Sequence, residues 1–490
     1  MKKILSIIVA VLAAVALFAK EPLTVASVIS DHMVVQRQSE TPVWGWGEPG
    51  AKVKVKPSWG KASYSAVVDK DGAWRVSVST PAAGGPYAID IASGKEKIAV
   101  SDVLVGEVWV FSGQSNMDMP LSGYGVQFVE GMTEEIIASP RYADKVRMFR
   151  SKRPAAEEPQ KDIPESSWQV ASGENAAHLS AIAWFFATRL TDAIGVPVGV
   201  MDASWGGSKI EPYMTVDAVK RAIEGKISES RYKEIMSREN VPPHKVPRKI
   251  STIWNSRMYP FAGYTARGFV WYQGEANRKD RFYDKLQAEM VKMWREAWGD
   301  TENAMPFMFA TIAPYSYDKD SRATMRAFFV ENQLKSLKLI PNSYAAITES
   351  IGEENCIHPA KKRQVAQQFV LYALEKVYGM KMGIPAGYPY PSGYKFEGNE
   401  VIVSFDNVAN GLGRVGRRTV KGFELAGEDK VFYRADAMIE KGNRDVRVTS
   451  VDVPAPVAVR YNFHNYDEGD LENSFGIPVP CFRSDNWKEK

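Results

Sequence analysis

Three patterns of hydrophobic and polar positions follow one another along the chain. Between residues 23 and 101, short segments alternate apolar with polar residues, as in Trp74-Arg-Val-Ser-Val-Ser after the turn Asp69-Lys-Asp-Gly. Such alternation, separated by Gly and Pro turns, is typical of half-buried strands in hairpins. It predicts an all-β module, a small sandwich. From Gly387 onward the chain is again rich in Val, Tyr and Phe with Gly and Asn turns, which predicts a second β module.

The pattern between these modules changes at Val103. Short apolar runs alternate with longer amphipathic segments, which is typical of a parallel sheet covered by helices. The apolar runs predict strands over 104–111, 196–202, 268–272, 307–312 and 343–347, and the amphipathic segments predict helices over 181–194, 216–235, 282–297 and 360–378. We therefore predict an α/β domain over 103–385, between β modules over 20–102 and 386–490.

The first 19 residues are typical of a signal peptide. Lys2 and Lys3 precede an apolar run over 4–18, and small residues allow cleavage after Ala16 or Ala19, of which we favour Ala19. The run is short for a membrane span. We expect a periplasmic or secreted protein without stable membrane insertion.

The charge and the cysteines limit the classes of partner and cofactor. The chain has 62 Lys and Arg against 58 Asp and Glu, and removal of Lys2 and Lys3 leaves a net charge of +2. This charge is too small to indicate nucleic-acid binding. Cys356 and Cys481 can form a disulfide after export, although nothing forces them to pair. No CxxC or HExxH motif occurs, so we expect no structural zinc site.

Ser115 is a candidate nucleophile. The segment Trp109-Val-Phe-Ser-Gly-Gln-Ser-Asn-Met places it just beyond the first predicted α/β strand, at the edge where open α/β sheets bind ligands. A sharp turn there would expose the hydroxyl and direct backbone N–H groups at a developing oxyanion. The motif is not the GxSxG elbow. A serine that only caps the next helix is the alternative.

Two further predicted strands end in segments that can contribute to the same site. Asp202-Ala-Ser-Trp-Gly-Gly-Ser contains Gly206 and Gly207, either of which can donate a backbone N–H to the oxyanion, unless the pair only forms a tight turn. Phe269-Val-Trp-Tyr-Gln-Gly-Glu-Ala-Asn contains Gln273, a candidate side-chain donor, and Glu275, which can orient its neighbours. Both are otherwise ordinary polar loop residues.

His358 is the candidate general base. It is one of five histidines and lies in Cys356-Ile-His-Pro-Ala-Lys-Lys. Because Pro favours the first position of a helix, we expect Pro359 to open one with His358 at its N-cap. The positive end of the helix would then keep the ring neutral and able to accept a proton. A histidine that only caps or packs is the alternative.

At these four places the sequence resembles the sialate O-acetylesterase family, a branch of the SGNH hydrolases. Gly113-Gln-Ser-Asn-Met is similar to the family's nucleophile block and Ser204-Trp-Gly-Gly-Ser to its glycine block. Trp271-Tyr-Gln-Gly-Glu-Ala-Asn is similar to its third block and Ile357-His-Pro to its histidine block. The likeness extends over nearly the whole mature chain.

The resemblance implies an SGNH-type three-layer α/β hydrolase core, flanked by β-sandwich-like modules, with no metal or organic cofactor. Ser115 would be acylated by the acetyl group of the ester, and His358 would relay the proton. The oxyanion would be held by the N–H groups of Ser115 and Gly207 (or Gly206) and by the amide of Gln273.

Two positions depart from the family pattern. The family often has Asp two residues before the histidine, where this chain has Cys356, which cannot stabilise an imidazolium as a carboxylate does. Glu353 or Glu354 can substitute, a backbone carbonyl can orient the ring, or a Ser–His dyad can operate. We favour one of the two glutamates or a dyad. The second departure is Asp118, where the family usually has Glu.

We therefore expect a serine esterase that hydrolyses O-acetyl esters of sialic acids in glycan degradation. An acetylated plant polysaccharide such as xylan or pectin is the alternative substrate, because the four blocks recognise the acetyl group and not the sugar. A non-catalytic carbohydrate-binding protein is a second alternative, supported by Cys356 alone. The expected partner is an O-acetylated sugar or glycan.

Overall fold

The computed structural model describes residues 21–151, 156–241, 248–413 and 418–488, so the predicted signal peptide lies outside the described residues. Strands β1 to β14 are Thr24–Val25, Val34–Gln36, Glu40–Trp46, Lys52–Pro57, Tyr64–Val67, Ala73–Ser79, Gly84–Ser93, Glu96–Gly113, Val146–Arg150, Trp168–Val170, Val198–Asp202, Gly268–Tyr272, Phe307–Ala310 and Ser343–Ala346. Strands β15 to β23 are Tyr390–Glu397, Glu400–Asp406, Thr419–Val420, Phe423–Ala426, Phe432–Arg434, Asp436–Ile439, Asp445–Thr449, Ala458–Tyr461 and Phe482–Arg483.

The α-helices of the described residues are short to medium in length. They are Ser115–Asp118, Met132–Ala138, Glu174–His178, Ala181–Ile194, Val216–Ile223, Glu229–Met236, Tyr283–Trp298, Met325–Lys335 and Lys362–Tyr372. None of these described helices has the length and apolar character needed to cross a lipid bilayer.

A central sheet organises the middle of the chain, in the strand order β10-β9-β11-β8-β12-β13-β14. Neighbours from β9 to β14 pair in parallel, and β10 is antiparallel to β9. Parallel neighbours need long crossover connections, which helices usually provide. The predicted α/β class is confirmed.

Helices cover both faces of this sheet. Successive side chains of a strand point to opposite faces, and in β8 Val110 belongs to one buried cluster and Phe111 to another. The Val110 cluster includes residues of helix Tyr283–Trp298, and the Phe111 cluster includes residues of helices Ala181–Ile194 and Lys362–Tyr372. Each buried side chain of this size contributes about 1.5–3 kcal/mol of hydrophobic stabilisation. The result is a helix–sheet–helix arrangement of three layers.

Strand β8 connects the N-terminal strands with the central sheet. It has 18 residues. Its first part pairs with β7 and its last part with β11 and β12. The predicted domain boundary between 102 and 103 falls inside this strand. The change of pattern at Val103 marks where every residue of β8 becomes buried, not where a new element starts.

The C-terminal strands form two antiparallel sheets, β15-β16-β21-β20-β17 and β19-β18-β22-β23. Val403 and Val446 from the first sheet and Leu425 and Val459 from the second belong to one buried cluster. This part of the chain therefore has a core of its own.

A buried ion pair joins that part to the central domain. Arg326, on helix Met325–Lys335, contacts both oxygens of Glu349 at 2.8 and 3.1 Å. The same guanidinium donates to the backbone carbonyls of Asn462 and His464, and Asn462 donates its amide to Glu349. These contacts fix the C-terminal sheets against the domain that carries the candidate site.

Two predicted helices differ from the structure. The helix predicted over 216–235 is two helices, Val216–Ile223 and Glu229–Met236, because Gly225 adopts a positive φ of 66° and Ser228 caps the second one. The helix predicted over 360–378 begins only at Lys362 and continues after Tyr372 as a π turn.

Candidate active site

Three predicted segments meet at one edge of the central sheet. Strand β8 lies between β11 and β12, with Phe111 opposite Asp202 and Gly113 opposite Tyr272. The strands are parallel, so their carboxyl ends lie at the same edge, which is where ligands of open α/β sheets bind. The structure thus brings together the segments of Ser115, Gly206 and Gln273.

Gly113 makes the turn before Ser115 possible. Its φ is 145°, and an added Cβ would lie 2.2 Å from the carbonyl oxygen of Tyr272. Only glycine fits so close an approach of two backbones. After this turn Ser115 opens the helix Ser115–Asp118 and remains half-buried.

Gly206 lies directly beside the nucleophile candidate. A Cβ on Gly206 would be 3.8 Å from the Cβ of Ser115 and 3.4 Å from Oδ2 of Asp118. Its backbone N–H donates to Asp118 Oδ2 at 3.3 Å. Gly207 has a φ of 72° and open space around its Cα. Of the two glycines, Gly206 is the one that donates its N–H to Asp118.

Gln273 does not present its amide to an oxyanion. Its side chain is fully buried, and its NH₂ group donates to Gln114 Oε1 at 3.0 Å, to the Ser208 carbonyl at 3.0 Å and to Asn277 Oδ1 at 2.8 Å. Its own oxygen accepts from Tyr283 at 2.7 Å. The arrangement differs from the predicted oxyanion role because these neighbours already use both N–H groups. Gln273 instead links the segments of Gln114, Ser208 and Asn277 by hydrogen bonds.

His358 lies beside the Ser115 turn, but in a loop and not at a helix N-cap. The helix begins at Lys362, so the expected N-cap position of His358 is wrong. The backbone N–H of Ala360 donates to the carboxylate of Glu353 at 2.8 Å, outside any helix. This carboxylate holds the segment after Pro359 in loop conformation.

The ring of His358 has an amide as its partner. Nδ1 lies 2.8 Å from Oε1 of Gln127. The ring of Tyr124 packs against it edge-on, with 5.3 Å between centroids, and the Tyr124 hydroxyl donates to the Ser115 carbonyl at 3.4 Å. With an N–H at Nδ1 donating to Gln127, the lone pair of Nε2 is available as a base.

The charge state of His358 is set by its surroundings. Burial, and to a smaller extent the nearby ammonium of Lys362, lowers the pKa of His358 to about 4. The ring is therefore neutral at neutral pH, as a general base must be. The cause differs from the predicted one, because the helix end that was expected to act on the ring is four residues away.

The two glutamates suggested as partners of His358 lie elsewhere. Glu353 accepts from the backbone of Ala360, and Glu354 is exposed and accepts from the hydroxyl of Ser316 at 3.4 Å. Cys356 donates its thiol to the His358 carbonyl at 3.3 Å. Cys356 and Cys481 are both free thiols, so no disulfide links them.

A buried polar network ties the serine turn to the histidine loop. The Asn116 amide donates to Glu275 at 2.6 Å and to the Ile357 carbonyl at 3.1 Å, and its oxygen accepts from the Lys362 ammonium at 2.5 Å. Burial raises the pKa of the Glu275 carboxyl and lowers the pKa of Lys362 to about 7. Asn116 follows Ser115 and Ile357 precedes His358, so this network sets their separation. Glu275 thus orients a neighbour, as its sequence context suggested.

Several of these residues have no clear sequence signal. Gln127 lies in a loop of mixed composition, and no motif links it to a histidine more than 200 residues later. Lys362 lies four residues after His358, and this short separation could have indicated a contact between them. The burial of Lys362, however, depends on the tertiary structure. The described residues contain no group of three or more His, Cys, Asp or Glu side chains placed to hold a metal ion.

The fold and the site together define a class. A three-layer α/β domain carries a serine at the carboxyl edge of its sheet, and Asn116 links the serine turn to the loop of a neutral histidine. These are residue types that a serine hydrolase uses as nucleophile and base. The family model described as "Carbohydrate esterase, sialic acid-specific acetylesterase" matches residues 105–366. The chain belongs to this family and is a carboxylic ester hydrolase.

Known relatives extend the comparison. The sialate O-acetylesterase of Mus musculus is 28% identical over 408 residues, which cover 73% of this chain and 74% of that protein. The sialate O-acetylesterase of Homo sapiens is 28% identical over 392 residues, covering 73% and 71%. A crystal structure of a carbohydrate acetylesterase from Xanthomonas citri superposes with a TM-score of 0.82 at 30% identity, covering 95% of this chain and all of that one.

Proposed function

We propose that this protein removes O-acetyl groups from sialic acids, with Ser115 as nucleophile and His358 as general base. The observation that carries the proposal is the family match, which spans both residues and belongs to sialic acid-specific acetylesterases. The similarity to enzymes named sialate O-acetylesterase, which covers 73% of this chain, supports the same substrate.

The first half of the reaction forms an acetyl-enzyme. Nε2 of His358 accepts the proton of the Ser115 hydroxyl while the Ser115 oxygen attacks the carbon of the acetyl carbonyl. The Gln127 amide oxygen holds the ring in the tautomer with hydrogen on Nδ1, in the place where many triads have a carboxylate. The imidazolium then gives its proton to the sugar oxygen, and the sugar leaves as an alcohol.

The negative oxygen of the tetrahedral intermediate needs donors opposite the histidine. We assign this role to the backbone N–H groups of Ser115 and Gly207. Gly206 contributes less, since its N–H already donates to Asp118. Removal of one such donor typically costs a factor of about 10²–10³ in kcat.

The second half of the reaction releases acetate. A water molecule enters, gives a proton to the neutral His358 and attacks the acetyl carbonyl, and the proton returns to the Ser115 oxygen as the bond to acetate breaks. Acetic acid and the free enzyme are the products, and the acid loses its proton to solvent at neutral pH to give acetate. No metal ion takes part in this scheme.

The deciding experiment is acetate release from 9-O-acetylated sialic acid, with acetylated xylan in parallel. We expect release from the sialic acid, and a loss of at least about 10³-fold in kcat for Ser115→Ala. Ser122→Ala, a nearby serine without a role in the scheme, is the matched control and should retain activity. Serine-dependent release from xylan alone would move the substrate to the neutral polysaccharides. Activity in Ser115→Ala equal to wild type would refute the catalytic assignment.

We also propose an SGNH-type core over 103–385 between β-sandwich modules over 20–102 and 386–490, in a protein exported after cleavage of residues 1–19. The buried cluster shared by the two C-terminal sheets supports a sandwich there. N-terminal sequencing of the protein from the periplasm or medium tests export. A mature chain that begins near residue 20 is the expected result.

A further inference from the structure

A cavity of about 550 Å³ opens next to the candidate active site. This volume is in the range of small-molecule sites. Its lining includes two arginines, a buried serine and polar side chains, and the described lining residues include no Asp or Glu; those used below are Arg150, Ser151, Gln169, Asn175 and Arg257.

Asp118 connects the wall of the cavity to the glycine beside Ser115. Nη2 of Arg150 lies 2.6 Å from Oδ1 of Asp118, and the other oxygen of Asp118 accepts from Gly206. Gly206 is in turn beside Ser115. A sugar whose acetyl group reaches Ser115 can therefore extend a second polar group past Gly206 towards Arg150.

The position of Arg257 is rigid. Its side chain is only 2% exposed, its guanidinium stacks on Trp205 with 4.6 Å to the ring centroid, and it donates to the Ser204 carbonyl. Trp205 directly precedes the glycine pair. A guanidinium that is held in place loses little conformational entropy on binding a ligand, and its planar N–H groups match a carboxylate.

The Ser151 hydroxyl is a second feature of the wall. Ser151 is 1% exposed, and its oxygen has no hydrogen-bond partner among the described residues. A buried hydroxyl is ordinarily paired. Arg150 already pairs with Asp118, lies 3.9 Å from Asp202 and donates to the His178 carbonyl, so it contributes positive charge more than available N–H groups. The Ser151 hydroxyl and the amides of Gln169 and Asn175 add hydrogen-bond donors to the wall, to which an acceptor-only group is suited.

We propose that this cavity, defined by Arg150, Ser151 and Arg257, binds the carboxylate of the acetylated sugar. The inference rests on the proposed function and deepens it, because it explains how the site would select an acidic sugar. A neutral polysaccharide has no group that needs this wall. The carboxylate binds by charge-assisted hydrogen bonds, without any covalent step.

The test compares 9-O-acetylated sialic acid with its C1 methyl ester, in which the carboxylate is masked, by measuring acetate release. We expect kcat/KM of the wild type to be about tenfold or more higher for the acid. The ratio of kcat/KM for the acid to kcat/KM for the methyl ester should approach one in Arg257→Gln. In Ser151→Ala the same ratio should be several-fold lower than in the wild type. Ser151→Ala leaves no partner unpaired, so it should fold normally even if Arg257→Gln does not.

Arg278→Gln is the matched control. Arg278 is a part-buried arginine near the site that pairs with Asp318 at 2.6 Å and does not line the cavity. It should keep the wild-type ratio. A wild-type ratio near one, a ratio unchanged in both cavity variants, or an equal fall in Arg278→Gln would overturn the inference while sialic acid deacetylation still stood. Acetate release from xylan alone would instead overturn the proposed function, and the inference with it.

Discussion

Replacement of Gln127 by glutamate should move the pH dependence of catalysis. Oε1 of Gln127 lies 2.8 Å from Nδ1 of His358, and burial together with Lys362 keeps the pKa of His358 at about 4. Gln127→Glu keeps the shape of the side chain and replaces a neutral amide with a carboxylate. Gln127 is half-buried, so the new carboxylate can remain ionised.

The expected shift follows from the contact distance. An opposite charge in direct contact raises the pKa of a histidine by about one to three units. The pKa of His358 would then lie between about 5 and 7. Each unit corresponds to about 1.4 kcal/mol of preference for the imidazolium. At pH 5 a base of pKa about 4 is about nine-tenths neutral, whereas one of pKa about 6 is about one-tenth neutral.

The assay is kcat/KM for a simple aryl acetate between pH 3.5 and 8.5. The wild type should lose activity only as the pH falls through about 4, because His358 must be neutral to accept a proton. Gln127→Glu should lose it at a pH higher by one unit or more. Gln127→Ala is the control: it removes the orienting partner without adding charge, so kcat should fall about tenfold or more while the acid limb stays in place.

An acid limb in Gln127→Glu that coincides with that of the wild type would refute this reasoning. It would mean either that Gln127 does not face the ring in solution or that His358 is not the base.

The remaining predictions concern charge near the base and stability. Lys362→Met should also raise the pKa of His358, but by less than Gln127→Glu. It removes the positive charge of Lys362, which is the smaller cause of the low pKa, and leaves the burial of the ring unchanged. An acid limb shifted to lower pH would contradict this prediction. Arg326→Met should lower the free energy of unfolding by about 3–5 kcal/mol, since Glu349 would remain buried without its cation. Denaturant titration measures this, with the exposed pair of Lys395 and Glu397 as control, where Lys395→Met should cost at most about 1 kcal/mol. Equal effects of these two substitutions would show that burial of the pair does not matter.

The presence of the α/β domain and five of the seven strands of its central sheet could be predicted from the chain itself. Strand β12 runs from Gly268 to Tyr272, as its uninterrupted apolar run predicts, because a strand buried on both faces has no polar side to maintain. Strand β9, Val146–Arg150, was missed. Two of its five residues are arginines, and the buried Arg147 pairs with Asp102 at 3.0 Å and donates to backbone carbonyls, contacts that only the folded chain provides.

The candidate site, like the fold, could be predicted only in part from the sequence. Ser115, the glycine pair and Gln273 could be placed at one edge from the sequence, because each follows a strand of a parallel sheet. The roles of these residues could not be predicted, because a motif does not show which hydrogen bonds a side chain already makes. Gln273 was expected to donate to the oxyanion, but its NH₂ group donates to Gln114, Ser208 and Asn277.

The hydrogen-bond partner of His358, the candidate base, depended on the tertiary structure alone. Glu353 and Glu354 are close to His358 along the chain, which made them the candidates, but the loop turns their carboxylates to Ala360 and Ser316. Gln127, from a distant loop, reaches Nδ1 instead. Local sequence determines which elements form, because their periodicity is local; packing determines which polar atoms meet, because that depends on where every other element has gone.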